Sequence, residues 1–174
     1  VKLAEGVPVE VTTQIDTDFK MTPEQLEAAI TPKTRMIWFS SPCNPSGSVY
    51  SKEELEGLAE VLKNHPDIYV VSDEIYEHIN FSGGHVSIAQ IDGMYDRTVT
   101  VNGVSKAFAM TGWRIGYIYG GEDIVSRALK IHQYSALCAP IASQYAALSA
   151  LQHGNSVTQE MKQSYIIRKN FVFW

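Results

Sequence analysis

Polar side chains able to do chemistry follow three apolar runs, each at the point where a run ends. Asn44 follows the first run, Asp73 and Tyr76 follow the second, and Lys106 follows the third. Arg114 lies eight residues beyond Lys106. Because ligands of open parallel sheets bind beyond the carboxyl ends of the strands, we expect these residues to meet at one sheet edge. They offer an amide, a carboxylate, a phenol, a primary amine and a guanidinium.

These groups match the needs of a pyridine aldehyde phosphate. Such a cofactor requires an amine for imine formation, an acid beside its ring nitrogen, donors to its phenolate oxygen and a cation at its phosphate. A carboxylate about 4 Å from the ring nitrogen interacts with it by roughly 4 kcal/mol, which suffices to keep the ring protonated at neutral pH. The sequence therefore predicts a pyridoxal 5'-phosphate site and no nucleotide-binding loop.

The same segments resemble the class I aminotransferases, which are pyridoxal-phosphate enzymes of fold type I. The resemblance rests on residues 44–47 (Asn-Pro-Ser-Gly), residues 72–76 (Ser-Asp-Glu-Ile-Tyr) and residues 105–116 (Ser-Lys-Ala-Phe-Ala-Met-Thr-Gly-Trp-Arg-Ile-Gly). Within the family the chain is most similar to aspartate aminotransferases of the bacterial kind. The resemblance implies transfer of an amino group between an amino acid, with aspartate or glutamate expected, and a 2-oxo acid.

The resemblance makes Lys106 the catalytic residue. It would form the imine with the cofactor and then move the proton between the substrate and the cofactor as a general base. Asp73 would face the pyridine nitrogen and hold its proton. Glu74, the next residue, is expected to point to the opposite side, since neighbours at a strand end alternate.

The resemblance assigns four further residues to cofactor binding. Asn44 and Tyr76 would donate to the phenolate oxygen, and Asn44 precedes a proline whose peptide bond is cis in relatives. Ser105 and Arg114 would bind the phosphate, Arg114 through a bidentate contact. Taken singly, each of these residues also fits a turn, a helix cap or a surface ion pair, and only the joint pattern favours the cofactor site.

The periodicity of apolar residues predicts alternating strands and helices in one domain. Capping boxes begin helices at Thr22 and Ser51, the second helix ending near Asn64. The expected strands are 36–39, 68–71, 98–101 and 115–119, the first two buried on both faces, and the further expected helices are 122–138, 140–151 and 156–168. This order predicts a three-layer α/β/α arrangement with a mainly parallel sheet.

The resemblance implies that residues 1–174 form part of the cofactor-binding large domain of fold type I. Residues 156–174 would begin the helix that leads to a small domain. Family members are roughly twice as long, both ends of the chain look cut, and the family's substrate-binding arginine lies in the small domain. We therefore expect the chain alone to be inactive and the full-length protein to be a homodimer.

Charge and the positions of cysteine and histidine indicate which partners, cellular location and metal content to expect. The net charge is −5 and no basic stripe is present, so neither a nucleic acid nor a membrane is expected as a partner. Cys43 and Cys138 lie far apart, and no secretion signal or membrane-length apolar stretch occurs, which favours the cytoplasm. The five histidines lack ligand spacing, so we expect surface or loop positions and no metal site.

Two alternatives to an aminotransferase remain open from the sequence. A carbon–sulfur β-lyase of the same fold would use the same lysine and aspartate with different substrate groups. A non-catalytic domain that senses pyridoxal phosphate, fused to a transcription regulator, would keep the cofactor site and add a DNA-binding segment.

Overall fold

A four-stranded mixed sheet lies at the centre of the computed structural model, which describes residues 1–172. Strands β1 (Met36–Ser40), β2 (Tyr69–Asp73) and β3 (Thr98–Gly103) run parallel in the order of the sequence. Strand β4 (Gly116–Gly120) pairs antiparallel with β3 at the end of the sheet. The predicted mainly parallel sheet is confirmed, and the reversed direction of β4 is a feature that its apolar pattern did not indicate.

Helices flank the strands, and all but a four-residue helix after β3 lie at places predicted from the sequence. Within the described residues they are α1 (Pro23–Ala29), α2 (Lys52–Lys63), α3 (Val104–Ala107), α4 (Glu122–Ser135), α5 (Ile141–His153) and α6 (Asn155–Val172). The predicted helices over 122–138, 140–151 and 156–168 are confirmed with shifted ends, while residues 173 and 174 of the proposed connecting helix lie outside the described part. No helix in residues 1–172 is both long and apolar enough to cross a bilayer.

Both predicted capping boxes form. The Ser51 hydroxyl accepts a hydrogen bond from the Glu54 backbone N–H at 3.2 Å, and the Glu54 carboxylate accepts one from the Ser51 N–H at 2.7 Å. Thr22 and Gln25 make the equivalent reciprocal pair at the start of α1. These bonds satisfy backbone donors that have no partner inside the helix, so the local sequence determines where α1 and α2 begin.

The core lies between α1, α2 and one face of the sheet. Leu55, Leu58 and Leu62 share one side of α2 and are at most 1% exposed. They pack with Leu26 of α1 and with Val70 of β2. Burial of this apolar stripe, at about 25 cal/mol per Å², holds β2 and its polar end in place.

The face of β1 and β2 that points away from α1 and α2 is exposed to solvent in the described residues. Met36, Trp38 and Tyr69 are 53%, 65% and 42% exposed. The expectation that β1 and β2 are buried on both faces is therefore wrong. An unbroken apolar run shows that both faces can be covered, but it does not show which surface covers them.

Candidate active site

The topology places the polar segments at one edge of the sheet. Strands β1, β2 and β3 are parallel, so their carboxyl ends lie together, and antiparallel β4 begins at that same edge. Asp73 is the last residue of β2, and Lys106 lies in α3 directly after β3. Asn44 lies beyond the end of β1, and Arg114 lies just before β4. The predicted meeting of these segments is thus a consequence of strand direction.

Three of the predicted site residues form one cluster. The Asn44 Nδ2 atom donates to the Tyr76 hydroxyl at 3.2 Å, and the Asn44–Pro45 peptide bond is cis. The Lys106 Nζ atom lies 5.7 Å from the centre of the Tyr76 ring. An amide, a phenol and a primary amine therefore come together from three separate segments.

Two buried hydroxyls support the segment that carries Lys106. Ser143 of α5 donates to the Trp113 carbonyl at 2.8 Å, and Thr158 of α6 donates to the Ala107 carbonyl at 3.4 Å. Both residues are at most 6% exposed. Helices α5 and α6 thus fix the backbone at the end of the short helix α3 and in the turn that follows it. Helix α3 is too short to be stable by itself.

Asp73 lies at the end of β2, opposite Ser40 of β1 and Val101 of β3. Its side chain is half-buried, and its Oδ1 atom accepts a hydrogen bond from the Ile75 N–H at 3.2 Å. Side chains alternate along a strand, so Asp73 and the following Glu74 leave the backbone on opposite sides. As expected, the two carboxylates do not form a pair.

The proposed phosphate-binding residues lie on adjacent turns. Ser105 is half-buried in α3, against which the turn Thr111–Trp113 packs. Arg114 is exposed, has a positive φ of 52° and donates from Nη1 to the Thr111 carbonyl at 2.7 Å. The structure therefore places Arg114 and Ser105 at the same edge and anchors the guanidinium to its own turn.

Sequence reasoning missed a buried polar cluster beside this edge. Glu74 is 1% exposed and accepts hydrogen bonds from the hydroxyls of Ser72 at 2.9 Å and Ser87 at 2.6 Å. His85 Nε2 lies 2.8 Å from the second Glu74 carboxylate oxygen. His85 lies in a loop, as expected, but its side chain is only 13% exposed. It lies eleven positions after Glu74, and both residues lie outside helices and strands, so local periodicity does not predict that they meet.

A second group of polar side chains lies next to Glu74 and His85. The Glu77 Oε1 atom accepts from Asn102 Nδ2 at 2.8 Å and lies 3.3 Å from His78 Nε2. The hydrogen bond from His78 lowers the pKa of the Glu77 carboxyl, and the same contact raises the pKa of His78. The hydrogen bond from Asn102 to Glu77 connects the segment that carries Tyr76 to the end of β3.

One metal-compatible arrangement arises here from tertiary contacts. Ligand atoms of Glu74, Glu77 and His85 lie within 4.8 Å of one another. Glu74 and His85 are nevertheless in direct hydrogen-bond contact at 2.8 Å, and both Glu74 oxygens already have partners. We interpret this arrangement as a hydrogen-bond network, and the absence of a resident metal stays a prediction.

The chemistry of the edge fits pyridoxal phosphate. An amine, a carboxylate, a phenol with its amide partner, and a guanidinium with a neighbouring hydroxyl are the four kinds of group that this cofactor requires. They come from Lys106, Asp73, the Asn44–Tyr76 pair and the Arg114 turn, all at one sheet edge.

Comparison with known proteins shows the family. The family model of aminotransferase class I and II matches residues 1–172, so the chain belongs to this family. The aspartate/prephenate aminotransferase of Cereibacter sphaeroides is 46% identical over an alignment of 175 positions, which covers 99% of this chain and 44% of that protein. The aspartate aminotransferase of Pyrococcus abyssi is 43% identical over 174 residues, again 44% of its length.

Solved structures agree with the predicted fold. The aspartate aminotransferase from Thermus thermophilus with maleate has a TM-score of 0.93 and 39% sequence identity, covering 99% of this chain and 45% of that chain. The architecture is that of the large domain of fold type I, as predicted. The chain spans less than half the length of the relatives that it matches.

Proposed function

We propose that the chain carries the cofactor-binding part of a pyridoxal-phosphate aminotransferase, which moves an amino group between aspartate or glutamate and a 2-oxo acid. The meeting of Asn44, Tyr76 and Lys106 beyond parallel strand ends carries this proposal. Family membership supports it. The names of the relatives, which are aspartate and aspartate/prephenate aminotransferases, support the dicarboxylic substrates and favour transfer over carbon–sulfur elimination.

Lys106 and Asp73 have complementary roles in this proposal. Bound pyridoxal phosphate supplies an electron sink for the carbanion formed at the substrate α-carbon. Lys106 would hold the cofactor through Nζ, and the same atom would accept the proton released by the substrate. Asp73 holds the proton on the ring nitrogen, since a carboxylate nearby favours the positive charge there.

The remaining site residues orient the cofactor. Asn44 and Tyr76 donate to its phenolate oxygen, and their mutual hydrogen bond keeps both donors in one place. Ser105 and Arg114 bind the phosphate through a hydroxyl and a charge-assisted contact. Because these donors are already held in place, fewer side chains have to become ordered when the cofactor and substrate bind.

The proposal extends to the organisation of the whole protein. Residues 1–174 form part of the large domain, and the segment 156–174, most of it in α6, leads toward a small domain that completes the substrate site. The full-length protein is proposed to act as a homodimer. The coverage of the relatives, 44% of their length, supports a larger whole.

Replacement of Lys106 tests the proposed function. In the full-length protein, Lys106→Ala and Lys106→Arg should each lower the rate of glutamate formation from aspartate and 2-oxoglutarate by about 10³-fold or more, because arginine keeps the charge but forms no imine. Borohydride reduction of the unmodified protein should attach the cofactor to Lys106, as mapped by mass spectrometry.

A matched control comes from the exposed Lys130 of α4. Lys130→Ala should retain the full rate. Unchanged turnover in Lys106→Ala would refute the assignment, and pyruvate release from cysteine without amino transfer would establish the lyase alternative.

A further inference from the structure

The buried carboxylate of Glu74 is held by donors from three places in the chain. We call Ser72, Glu74, His85 and Ser87 the Glu74 cluster. Ser72 lies in β2, Ser87 begins the turn Ile88–Gln90, and His85 belongs to the loop between them. One carboxylate oxygen accepts from both serine hydroxyls, at 2.9 and 2.6 Å. The other lies 2.8 Å from His85 Nε2.

The surroundings of His85 determine the direction of its hydrogen bond. Its Nδ1 atom is buried and has no hydrogen-bond partner within the described residues. A proton on Nδ1 would leave a buried donor unsatisfied, whereas a proton on Nε2 is donated to Glu74. All three neighbours are therefore donors, and they match a carboxylate, which only accepts. A glutamine at position 74 would turn an amide N–H₂ toward one of them.

The cluster encloses Asp73 on both sides along the chain. Ser72 precedes Asp73 and Glu74 follows it, and their side chains are bonded to each other on the buried side. The Glu74 N–H also donates to the Val101 carbonyl of β3 at 2.9 Å. With the residues before and after it tied to the interior, Asp73 is directed to the other side of the strand end.

We propose that Glu74 is a positioning residue, which acts through the cluster to hold the Asp73 carboxylate against the pyridine nitrogen. This inference rests on the proposed cofactor role of Asp73. If the cluster loosens, the strand end can rotate, and the carboxylate is then displaced from the ring. Both cofactor affinity and the protonation of the bound ring should respond, because both depend on that ion pair.

The test measures cofactor binding and folding stability separately in the full-length protein. Glu74→Gln should raise the dissociation constant for pyridoxal phosphate at least tenfold and change the pH dependence of the bound cofactor's absorbance. Arg97→Met is the matched control, since Arg97 is buried at the end of α2, away from the cluster. It should lower the free energy of unfolding and leave the dissociation constant within twofold of the unmodified protein.

A purely structural role for the cluster predicts a different result. If Glu74→Gln reduces stability while its dissociation constant stays within twofold and its absorbance is unchanged, the proposal is overturned. Should Glu74→Gln not fold, Ser72→Ala replaces it and removes one hydroxyl beside Asp73. At least a threefold rise in the dissociation constant would then support the proposal, and an unchanged value would overturn it.

Asp73→Asn separates this proposal from the proposed function. If the unmodified protein binds no pyridoxal phosphate, or if Asp73→Asn binds it with unchanged affinity and absorbance, the assigned role of Asp73 is wrong. If Asp73→Asn changes both and Glu74→Gln changes neither, the positioning role alone is wrong.

Discussion

Lys106 contacts the aromatic ring of Tyr76, and this contact is weak in energy. A cation about 6 Å from a ring centre gains roughly 0.5–1 kcal/mol at a partly exposed position. That gain is too small to position a long side chain, whose ordering costs a similar or larger amount. The position of Lys106 therefore depends on the backbone of α3 and on the hydroxyls of Ser143 and Thr158 that support it.

The Glu77–His78 pair should make folding stability depend on pH. The pKa of Glu77 is lower in the folded protein than its ordinary value, so ionised Glu77 stabilises the fold at pH values above that ordinary pKa. This contribution is lost as the pH falls through the folded-state pKa. The pKa of His78 is higher in the folded protein than its ordinary value, so protonated His78 stabilises the fold at pH values below that ordinary pKa. This contribution is lost as the pH rises through the folded-state pKa. The pair thus contributes most to the free energy of unfolding between about pH 4.5 and 6.5.

We therefore expect His78→Gln to lower the free energy of unfolding most near pH 5.5, by at most about 1 kcal/mol because the pair is partly exposed. Urea unfolding from pH 4.5 to 9 measures this difference. The exposed His132 of α4 provides the control, and His132→Gln should give a difference without that maximum. A loss from His78→Gln that is equal at pH 5.5 and pH 9 would contradict the assignment.

Helix α2 is secured at both ends by different means. Its amino terminus has the Ser51–Glu54 capping box. At its carboxyl end, the buried Arg97 donates from Nη1 to the Leu62 carbonyl at 2.7 Å and from Nε to the Ile68 carbonyl at 2.8 Å. A third contact joins Nη2 to the His65 carbonyl. One side chain therefore joins the end of α2 to the start of β2.

Arg97→Met should lower the free energy of unfolding by about 3 kcal/mol, since it keeps the apolar stem but removes the buried guanidinium donors to the carbonyls of Leu62, His65 and Ile68. Denaturant unfolding gives this value. Lys52→Met removes only an exposed ion pair with Glu56, 3.6 Å long, and should change stability by less than about 0.5 kcal/mol. Equal effects of the two substitutions would show that Arg97 does not anchor α2.

At the scale of the molecule, one face of the sheet is packed against helices and the other is exposed in the described residues. Val70 is completely buried under α2, whereas Trp38 on the neighbouring strand is 65% exposed. The register joins Trp38 to Val71, so Trp38 lies on the face opposite Val70. An open apolar face of this kind is unusual for a complete single domain.

Two substitutions compare these faces. In residues 1–174 alone, Val70→Ala should lower the free energy of unfolding by about 2 kcal/mol, and Trp38→Ala should change it by less than about 0.5 kcal/mol. Thermal or denaturant unfolding provides both values. A cost for Trp38→Ala equal to that for Val70→Ala in this chain would contradict the observed asymmetry.

Local patterns carried much of what could be predicted. Capping boxes and apolar periodicity located the helices and strands because they act within a few residues, and strand direction then implied that Asp73 and Lys106 lie at one edge. The exposure of Trp38, the reversal of β4 and the bonds of Glu74 to His85 and Ser87 could not be predicted in this way. Each depends on which distant surfaces come together, and that is decided by packing of the folded chain as a whole.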